Sequence, residues 1–215
     1  MNEVKIFKFG GSCLKESSDL EAVVQRIAES NCEKTIVVVS ALHGVTDRIL
    51  ERLERNERES ISAFVASIEM MHLEISPALV NDAFYCKFQD ALAGLSDALL
   101  DNCDVQSERS RIRAQIAGEQ LSSVTVSAAV SAYGIDSMPI WSEEIGIKIH
   151  KVKGESVIDI NSTIQSLNLP DSSVLVVTGW YGVYNEGLGL LARGGSDLTA
   201  TSLAAVLNAS EVTIW

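Results

Sequence analysis

At the start of the chain, the spacing of apolar residues changes from that of a β-strand to that of an α-helix and then back to that of a β-strand. Val4–Phe9 has the composition of a strand, and within residues 20–27 apolar side chains recur at i, i+3, i+4 and i+7, the spacing of one helix face. We expect Asp19 to cap this helix. Residues 35–41 form a β-branched run, typical of a strand that is covered on both faces. A β-α-β start of this kind predicts a parallel sheet and an α/β fold.

The middle of the chain is predicted to be a helical insertion, because apolar residues keep the helical spacing over about residues 46–117. Strands and helices then alternate again. We expect helices over 119–132, 158–167 and 197–207 and strands over 138–141, 174–178 and 211–215. The predicted fold is a three-layer α/β/α sandwich with a mainly parallel sheet.

The composition allows one substantial core. The chain has 215 residues, of which 47% are hydrophobic and 21% are charged, so we predict one domain over residues 1–215. The final apolar strand stops at the end of the chain, where domains seldom finish. We therefore expect an N-terminal piece of a longer protein, with its domain truncated on the C-terminal side.

The net charge of −12 argues against nucleic acid as a partner, because binding to phosphate backbones needs a field of lysine and arginine. No run of about 18 apolar residues occurs, so we expect no membrane span. A strand pattern stands where a secretory signal would need a basic start and an apolar segment, which favours a cytoplasmic protein. The widely spaced cysteines are expected to be reduced thiols with buried or packing roles: Cys13, Cys32, Cys86 and Cys103.

Two glycine pairs, one near each end of the chain, predict a phosphate site. Lys8-Phe9-Gly10-Gly11-Ser12 ends the first strand, and Arg193-Gly194-Gly195-Ser196-Asp197 leads into the last helix. Each places a cation beside two glycines at a junction between elements, where backbone N–H groups can surround an anion. The spacing excludes a Walker loop and a dinucleotide-binding loop. At the second pair we expect Ser196 or Asp197 to be the helix N-cap.

The same residues have ordinary structural interpretations, which the sequence leaves open. Lys8 could extend along its strand to solvent, Asp197 could serve only as an N-cap, and Arg193 could form a surface salt bridge. Glu119 could simply favour a helix dipole. Two hydroxyl residues could cap loops, Ser40 and Thr46.

Five short motifs occur along the chain in this order: Lys8-Phe9-Gly10-Gly11-Ser12, Val39-Ser40-Ala41 followed by Val45-Thr46, Gly118-Glu119, Thr178-Gly179, and Arg193-Gly194-Gly195-Ser196-Asp197-Leu198-Thr199-Ala200. In this combination they resemble the amino acid kinase family, and specifically its aspartate kinases. The resemblance spans the whole chain. Ser12-Cys13 is a departure, because aspartate kinases usually have Thr-Ser at that point.

The resemblance implies transfer of the γ-phosphoryl group of ATP to the β-carboxylate of L-aspartate. The product is 4-phospho-L-aspartate, the entry to lysine, threonine and methionine synthesis. A carboxylate with a reference pKa of about 3.9 is already ionised at neutral pH, so the nucleophile needs no general base. The enzyme has to bring two anions together and stabilise the charge on the transferring group.

The resemblance also assigns roles to individual residues. Lys8 would neutralise the ATP phosphates and Asp197 would orient Lys8, which makes these two the expected catalytic residues. The other expected phosphate-binding residues are Gly10, Gly11, Ser12 and Gly195. The expected aspartate-binding residues are Ser40, Thr46, Glu119, Arg193 and Ser196. Glu119 would accept the α-ammonium group and Arg193 would bind a carboxylate. Magnesium would arrive with ATP, no metal site is expected on the chain itself, and a homodimer is implied.

In the family, the segment beyond the last strand of this chain carries most of the nucleotide pocket. We therefore expect the chain to keep the aspartate half of the site, to bind ATP weakly or not at all, and to be inactive alone. Two alternatives stay open. One is another amino acid kinase acting on acetylglutamate, carbamate or a nucleoside monophosphate. The other is a non-catalytic amino-acid-binding module on the same fold.

Overall fold

The structure, a computed structural model, describes residues 3–30 and 32–215. Its strands are β1 (Val4–Phe9), β2 (Lys34–Val39), β3 (Ser137–Ile140), β4 (Ile149–Val152), β5 (Glu155–Ile158), β6 (Val174–Thr178), β7 (Tyr181–Tyr184), β8 (Gly187–Leu190) and β9 (Glu211–Ile214). A parallel sheet is formed in the order β3-β6-β2-β1-β9. Two antiparallel hairpins, β4–β5 and β7–β8, lie outside this sheet.

The helices are α1 (Ser17–Ala28), α2 (Val45–Arg55), α3 (Ile61–Ile75), α4 (Asp82–Asp104), α5 (Glu108–Ala132), α6 (Ser142–Ile145), α7 (Ile160–Ser166) and α8 (Gly195–Leu207). The long pair α4 and α5 has clear start signals. The Asn81 side chain accepts a hydrogen bond from the Ala83 N–H at 3.1 Å, and the Ser107 side chain accepts one from the Ser110 N–H at 3.1 Å. Both are N-caps that satisfy helix donors with no intrahelical acceptor.

Helices cover both faces of the sheet, because side chains alternate along each strand. One face packs against α1 to α5 through buried residues that include Phe7, Phe9, Val37, Val39 and Val176. The other face packs against α6, the β4–β5 hairpin and α8 through Ile6, Ile36, Val38, Leu175 and Val177. The three-layer α/β/α sandwich predicted from the sequence is confirmed.

The chain leaves the sheet in opposite directions at the carboxyl ends of two neighbouring strands. β2 leads into α2, which belongs to the first core, whereas β6 leads through β7–β8 to α8, which belongs to the second. A crevice forms where the connections of adjacent parallel strands diverge, and ligands bind there in open α/β sheets. Ser40 and Gly179, the first residues after Val39 and Thr178, lie at this crevice.

Several boundaries differ from the sequence expectations. The helix expected over 119–132 begins at Glu108, so Glu119 lies inside α5 and not at its start. Glu16 is the N-cap of α1, while Asp19 occupies the N3 position and accepts from the Glu16 N–H at 3.3 Å. The two hairpins and the short α6 were not predicted. Their strands are only four residues long, which gives little periodicity to detect.

The four cysteines are free thiols, but the expectation of buried or packing roles is wrong for Cys86, which is exposed. Cys13 and Cys103 are partly buried against the first core. The remaining one, Cys32, donates to the Glu3 carbonyl at 2.8 Å. None of the helices within residues 3–30 and 32–215 has the length and apolar character that crossing a bilayer requires.

Candidate functional site

A cavity of about 430 Å³ lies at the crevice between β1, β2, β6 and the start of α8. We call it the crevice cavity. Most of the residues predicted from the sequence line it: Lys8, Ser40, Thr46, Glu119, Arg193, Gly195, Ser196 and Asp197. A larger cavity of about 850 Å³ lies between the start of α5 and the β7–β8 hairpin, and it is lined by none of the predicted residues.

Lys8 is held in the crevice cavity by an ion pair with Asp197. The strand period places Lys8 on the same face as Ile6, which is the face covered by α8. Its Nζ atom lies 2.7 Å from Asp197 Oδ1. The contact lacks the alignment of a hydrogen bond, since Oδ1 is buried with no hydrogen-bond partner, so its attraction is Coulombic. Lys8 is only 8% exposed, and the interpretation of a lysine extended to solvent does not hold.

The N-terminus of α8 faces the same cavity. Gly194 is the N-cap and has a left-handed backbone with φ of 83°, and no side chain caps the helix. The prediction that Ser196 or Asp197 is the N-cap is therefore wrong. Both lie in the first turn, where Ser196 meets Ser40 and Asp197 meets Lys8. The first N–H groups of a helix have no intrahelical acceptor, and the helix dipole favours an anion beside them.

Glu119 brings a buried carboxylate to the cavity from the middle of α5. Its Oε1 atom accepts a hydrogen bond from the Ala41 N–H at 3.4 Å, while Oε2 is buried and has no partner. Burial raises the pKa of Glu119 to about 8, and the bond from Ala41 offsets only part of this effect. An ammonium group placed beside Oε2 would supply both the missing hydrogen bond and the missing opposite charge.

The hydroxyl residues join the two sides of the crevice. Ser40 Oγ donates to Ser196 Oγ at 3.1 Å, which links the end of β2 to the start of α8. Thr46 lies in the first turn of α2, and the N-cap of this helix is Gly44, in the left-handed conformation with φ of 78°. Two helix N-termini, those of α2 and α8, therefore meet at one cavity.

Arg193 lies at the rim of the crevice cavity. Its side chain is exposed and forms no salt bridge with any described residue. The interpretation of Arg193 as a partner in a surface salt bridge is therefore wrong within residues 3–30 and 32–215. A guanidinium without a protein partner is available to bind a carboxylate or phosphate through two parallel hydrogen bonds.

The first glycine pair lies beside the cavity and does not line it. A Cβ atom on Gly10 would lie 3.2 Å from Lys8 Nζ, so the glycine leaves space next to that cation. The Gly10 N–H donates to the Trp215 carbonyl at 3.3 Å and is already occupied in this conformation. Gly11 begins a short 3-10 turn over Gly11–Cys13, and Ser12 is exposed. The structure thus groups Lys8 with the second glycine pair more closely than with the first.

Trp180 also lines the crevice cavity, and sequence reasoning missed it. Its φ of 73° is a left-handed conformation that costs free energy in a residue with a large side chain. Two bonds hold it there: its N–H donates to Thr199 Oγ1 at 3.3 Å, and its carbonyl accepts from the Leu191 N–H at 2.7 Å. The only sequence signal is its position directly after Thr178-Gly179, at the end of a buried strand.

We expect Gly195→Ala to distort the start of α8. A Cβ atom at this position would lie 2.6 Å from Leu191 Cβ and 2.7 Å from Trp180 Cδ1, which is closer than such atoms approach. The free energy of unfolding, measured with urea, should fall by about 1–3 kcal/mol.

Gly94→Ala provides the matched control, because Gly94 lies inside α4 with open space around its Cα. That change should raise the free energy of unfolding by about 0.5–1 kcal/mol through helix propensity. Equal stability of Gly195→Ala and wild type would contradict the close packing described for α8.

Comparisons with known proteins agree with this architecture. The model of the amino acid kinase family matches residues 3–215. Among curated relatives, the chloroplastic bifunctional aspartokinase/homoserine dehydrogenase 2 of Arabidopsis thaliana is 27% identical over 98% of this chain and 24% of its own length. The aspartokinase of Corynebacterium glutamicum is 24% identical over 97% of this chain and 40% of its own length.

A solved structure has the same fold at low sequence identity. Aspartokinase III of Escherichia coli, in complex with aspartate and ADP, superposes with a TM-score of 0.85 at 21% identity, over 99% of this chain and 49% of that chain. The present chain thus spans between a quarter and a half of the length of these relatives. Because the family model matches nearly all of it, the chain belongs to the amino acid kinase family.

Proposed function

We propose that this chain forms the aspartate-binding and phosphate-binding part of an aspartate kinase. The reaction would transfer the γ-phosphoryl group of ATP to the β-carboxylate of L-aspartate. One observation carries the proposal: a buried carboxylate with an unpartnered oxygen, Glu119, shares a cavity with Arg193 and Lys8. These groups complement an ammonium group, a carboxylate and a phosphate. The complex of Escherichia coli aspartokinase III with aspartate and ADP supports the same choice of ligands.

The acceptor would be selected by its two charged ends. Glu119 Oε2 would accept the α-ammonium group, and Arg193 at the rim would bind a carboxylate. An N-acylated amino acid has no ammonium group, so it would leave the Glu119 carboxyl without a partner. This requirement distinguishes the proposal from a kinase that acts on acetylglutamate.

The chemistry would depend on charge neutralisation and positioning. The β-carboxylate of aspartate is ionised at neutral pH and attacks the γ-phosphorus directly, while ADP leaves. Lys8, oriented by Asp197, would stabilise the charge on the transferring group together with the N–H groups at the start of α8. We assign magnesium to the nucleotide, whose phosphates supply its oxygen ligands. The homodimer and the cytoplasmic location stay predictions from the sequence.

Calorimetric titration of the 215-residue chain with L-aspartate tests the acceptor assignment. We expect binding that is selective over L-glutamate and N-acetyl-L-glutamate. Arg193→Gln should weaken aspartate binding about tenfold or more, because it removes a charge-assisted bidentate contact. Repeating the titration with magnesium-ATP present shows whether the nucleotide side of the site contributes.

Arg55→Gln is the matched control, since Arg55 is an exposed arginine on α2 whose nearest carboxylate lies 4.0 Å away. It should leave aspartate binding unchanged. Preference for N-acetyl-L-glutamate would move the chain to another branch of the family. Binding of aspartate without turnover in the full gene product would favour a non-catalytic amino-acid-binding module.

A further inference from the structure

A third cavity, of about 590 Å³, lies between α4, α5, α6 and the β7–β8 hairpin. We call it the hairpin cavity. None of the residues assigned to the proposed aspartate kinase site lines it. Its polar groups are arranged in two clusters, one acidic and one basic, and the function proposed above uses neither.

The acidic cluster is centred on Glu143. The Tyr181 hydroxyl donates to Glu143 Oε2 at 2.7 Å, and Gln120 Nε2 donates to Oε1 at 3.3 Å. Burial is the main cause that raises the pKa of Glu143. Glu143 forms no ion pair within the described ranges: the neighbouring Lys87 is paired with Glu144 at 2.6 Å, and its attraction is the smallest of the causes that lower the pKa of Glu143. A partly buried carboxylate without a cation is a site for an ammonium group.

A second group in the same lining lacks a partner. Trp141 faces the hairpin cavity, and its indole Nε1 is buried with no acceptor among the residues that the structure describes. Buried indole N–H groups are normally hydrogen-bonded. Among the described residues, the lining around Glu143 therefore contains one buried donor without an acceptor and one carboxylate without a direct ion pair.

The basic cluster lies along α5. Arg113 and Arg109 precede Gln120 on the same helix, about 10 and 16 Å along its axis at 1.5 Å per residue, and all three line the cavity. Arg113 is paired with Asp101 at 2.9 Å, whereas Arg109 forms no salt bridge within residues 3–30 and 32–215. Four apolar side chains also line the cavity, and one of them, Ile116, lies between Arg113 and Gln120 along α5: Ile112, Ile116, Val183 and Leu188. Two further acids complete the charged lining: Asp90 and Glu186.

We propose that the hairpin cavity binds an elongated zwitterion. Its primary amine is directed to Glu143, its carboxylate is directed to Arg109 and Arg113, and an aliphatic segment lies between them. This assignment follows from the separated charges and the apolar middle of the cavity. It does not depend on the function proposed for the crevice cavity.

The two cavities share elements in a way that couples them. On α5, Glu119 lines the crevice cavity and the next residue, Gln120, lines the hairpin cavity. After β6, Trp180 lines the crevice cavity, and its neighbour Tyr181 bonds to Glu143. A ligand that changes the Gln120–Glu143–Tyr181 bonds moves residues directly attached to the proposed aspartate site. Binding at either cavity therefore changes the affinity at the other, a coupling that rests on the proposed function.

The three tryptophans of the chain make this proposal testable by NMR. The probe is 6-aminohexanoate, which carries an amine and a carboxylate at opposite ends of an aliphatic chain. In ¹H–¹⁵N spectra we expect the indole signal of Trp141 to shift on titration up to about 10 mM, a range that detects weak binding. Trp215, stacked on Phe9 with centroids 4.7 Å apart, is the internal reference and should not move.

Hexylamine and hexanoate, which each lack one charged end, should bind at least about tenfold more weakly. Glu143→Gln and Arg109→Ala should weaken 6-aminohexanoate binding to a similar degree. Glu51→Gln and Arg55→Ala on the exposed face of α2 are the matched controls and should have no effect. An unmoved Trp141 signal, or equal binding to wild type and Glu143→Gln, would overturn the proposed site.

The coupling is measured separately, by titrating L-aspartate with and without 6-aminohexanoate. We expect its dissociation constant to change at least about threefold, a modest coupling free energy. If the dissociation constant of aspartate is unchanged while 6-aminohexanoate still shifts the Trp141 indole signal, the coupling is contradicted but the binding site is not. If aspartate does not shift the indole signal of Trp180 while 6-aminohexanoate still shifts that of Trp141, the proposed function is contradicted and the site in the hairpin cavity is not.

Discussion

Lys8→Met should lower aspartate phosphorylation by the full gene product about a thousandfold or more, because the substitution removes the cation that pairs with Asp197 in the first turn of α8. Methionine keeps the aliphatic length of lysine, so the packing of β1 is preserved. Two anions must approach each other in the proposed reaction, and no other lysine of the described chain lines the crevice cavity. The measurement is the rate of acyl phosphate formation, trapped with hydroxylamine.

Stability separates this loss from a folding defect. The Asp197 side chain is 48% exposed, so its carboxylate can be solvated when Lys8 is removed. We expect the free energy of unfolding to fall by no more than about 1 kcal/mol. Binding of tripolyphosphate to the 215-residue chain should weaken in parallel with turnover, which ties the effect to phosphate.

Lys5→Met is the matched control on the same strand. Lys5 lies 3.5 Å from Glu211 and donates to the Ser30 carbonyl, away from the crevice cavity. Its removal should leave turnover within about twofold of wild type, because this partly exposed pair lies outside the crevice cavity. Turnover above about a tenth of wild type in Lys8→Met would show that the phosphates are bound elsewhere.

Local patterns were sufficient to predict the sheet and to assign Lys8 and the loop before α8 to one phosphate site, whereas Ser40 and Thr46 were assigned by family resemblance. Uninterrupted apolar runs identified β2 and β6 as buried strands, and residues that follow parallel strands meet at one edge of the sheet. Lys8, Ser40 and the loop before α8 therefore lie together, although they are far apart in the chain. Glu119 was placed in the site by family resemblance, since its position in the middle of α5 carries no local signal.

The features that sequence reasoning missed depend on long-range contacts. Trp180 adopts its left-handed conformation because Thr199 and Leu191 hold its backbone, and neither contact leaves a mark on the local sequence. The N-cap of α8 was misassigned because Ser196 and Asp197 are good capping residues by type, but tertiary contacts with Ser40 and Lys8 direct their side chains into the cavity.

The second large effect is a pH dependence caused by Glu119. As pH rises, we expect the stability of the fold to fall and the affinity for aspartate to rise. Burial holds the pKa of this carboxyl at about 8 in the folded chain, against an ordinary value of 4.5. Below about pH 4.5 the Glu119 carboxyl is protonated in both the folded and the unfolded chain, so its burial does not lower the free energy of unfolding. Between pH 4.5 and 8 only the unfolded chain ionises at this residue, so the free energy of unfolding declines as pH rises, by on the order of 5 kcal/mol in total.

Glu119→Gln removes this pH-dependent cost. The amide keeps the shape of the carboxyl and can still accept from the Ala41 N–H, but its NH2 group places two N–H donors at the buried position where Oε2 has no partner. In urea titrations at pH 8.5 we expect the variant to exceed the wild type by about 1–3 kcal/mol, and at pH 5 to match it within about 1 kcal/mol. Glu54→Gln, an exposed control on α2, should leave the pH dependence unchanged.

Aspartate binding should respond in the opposite direction. The wild-type carboxyl must release its proton to accept an ammonium group, so the affinity should rise about tenfold per pH unit between pH 6 and 8. Glu119→Gln should lose about a hundredfold in affinity at pH 8 and lose this pH dependence. Aspartate binding by the variant at wild-type strength would remove Glu119 from the acceptor site.

The combination of greater stability and lost binding is the informative result. A glutamate kept only for packing or for its bond to Ala41 would leave aspartate binding unaffected on substitution, because glutamine keeps the shape and accepts the same bond. A glutamate whose burial is tolerated for the sake of a ligand gives the reverse, because the ligand supplies the ammonium group that the protein interior lacks. If Glu119→Gln binds aspartate as tightly as wild type at pH 8.5, whatever its stability, the unpartnered Oε2 atom is not the ammonium acceptor, and the proposal for the crevice cavity loses the observation that carries it.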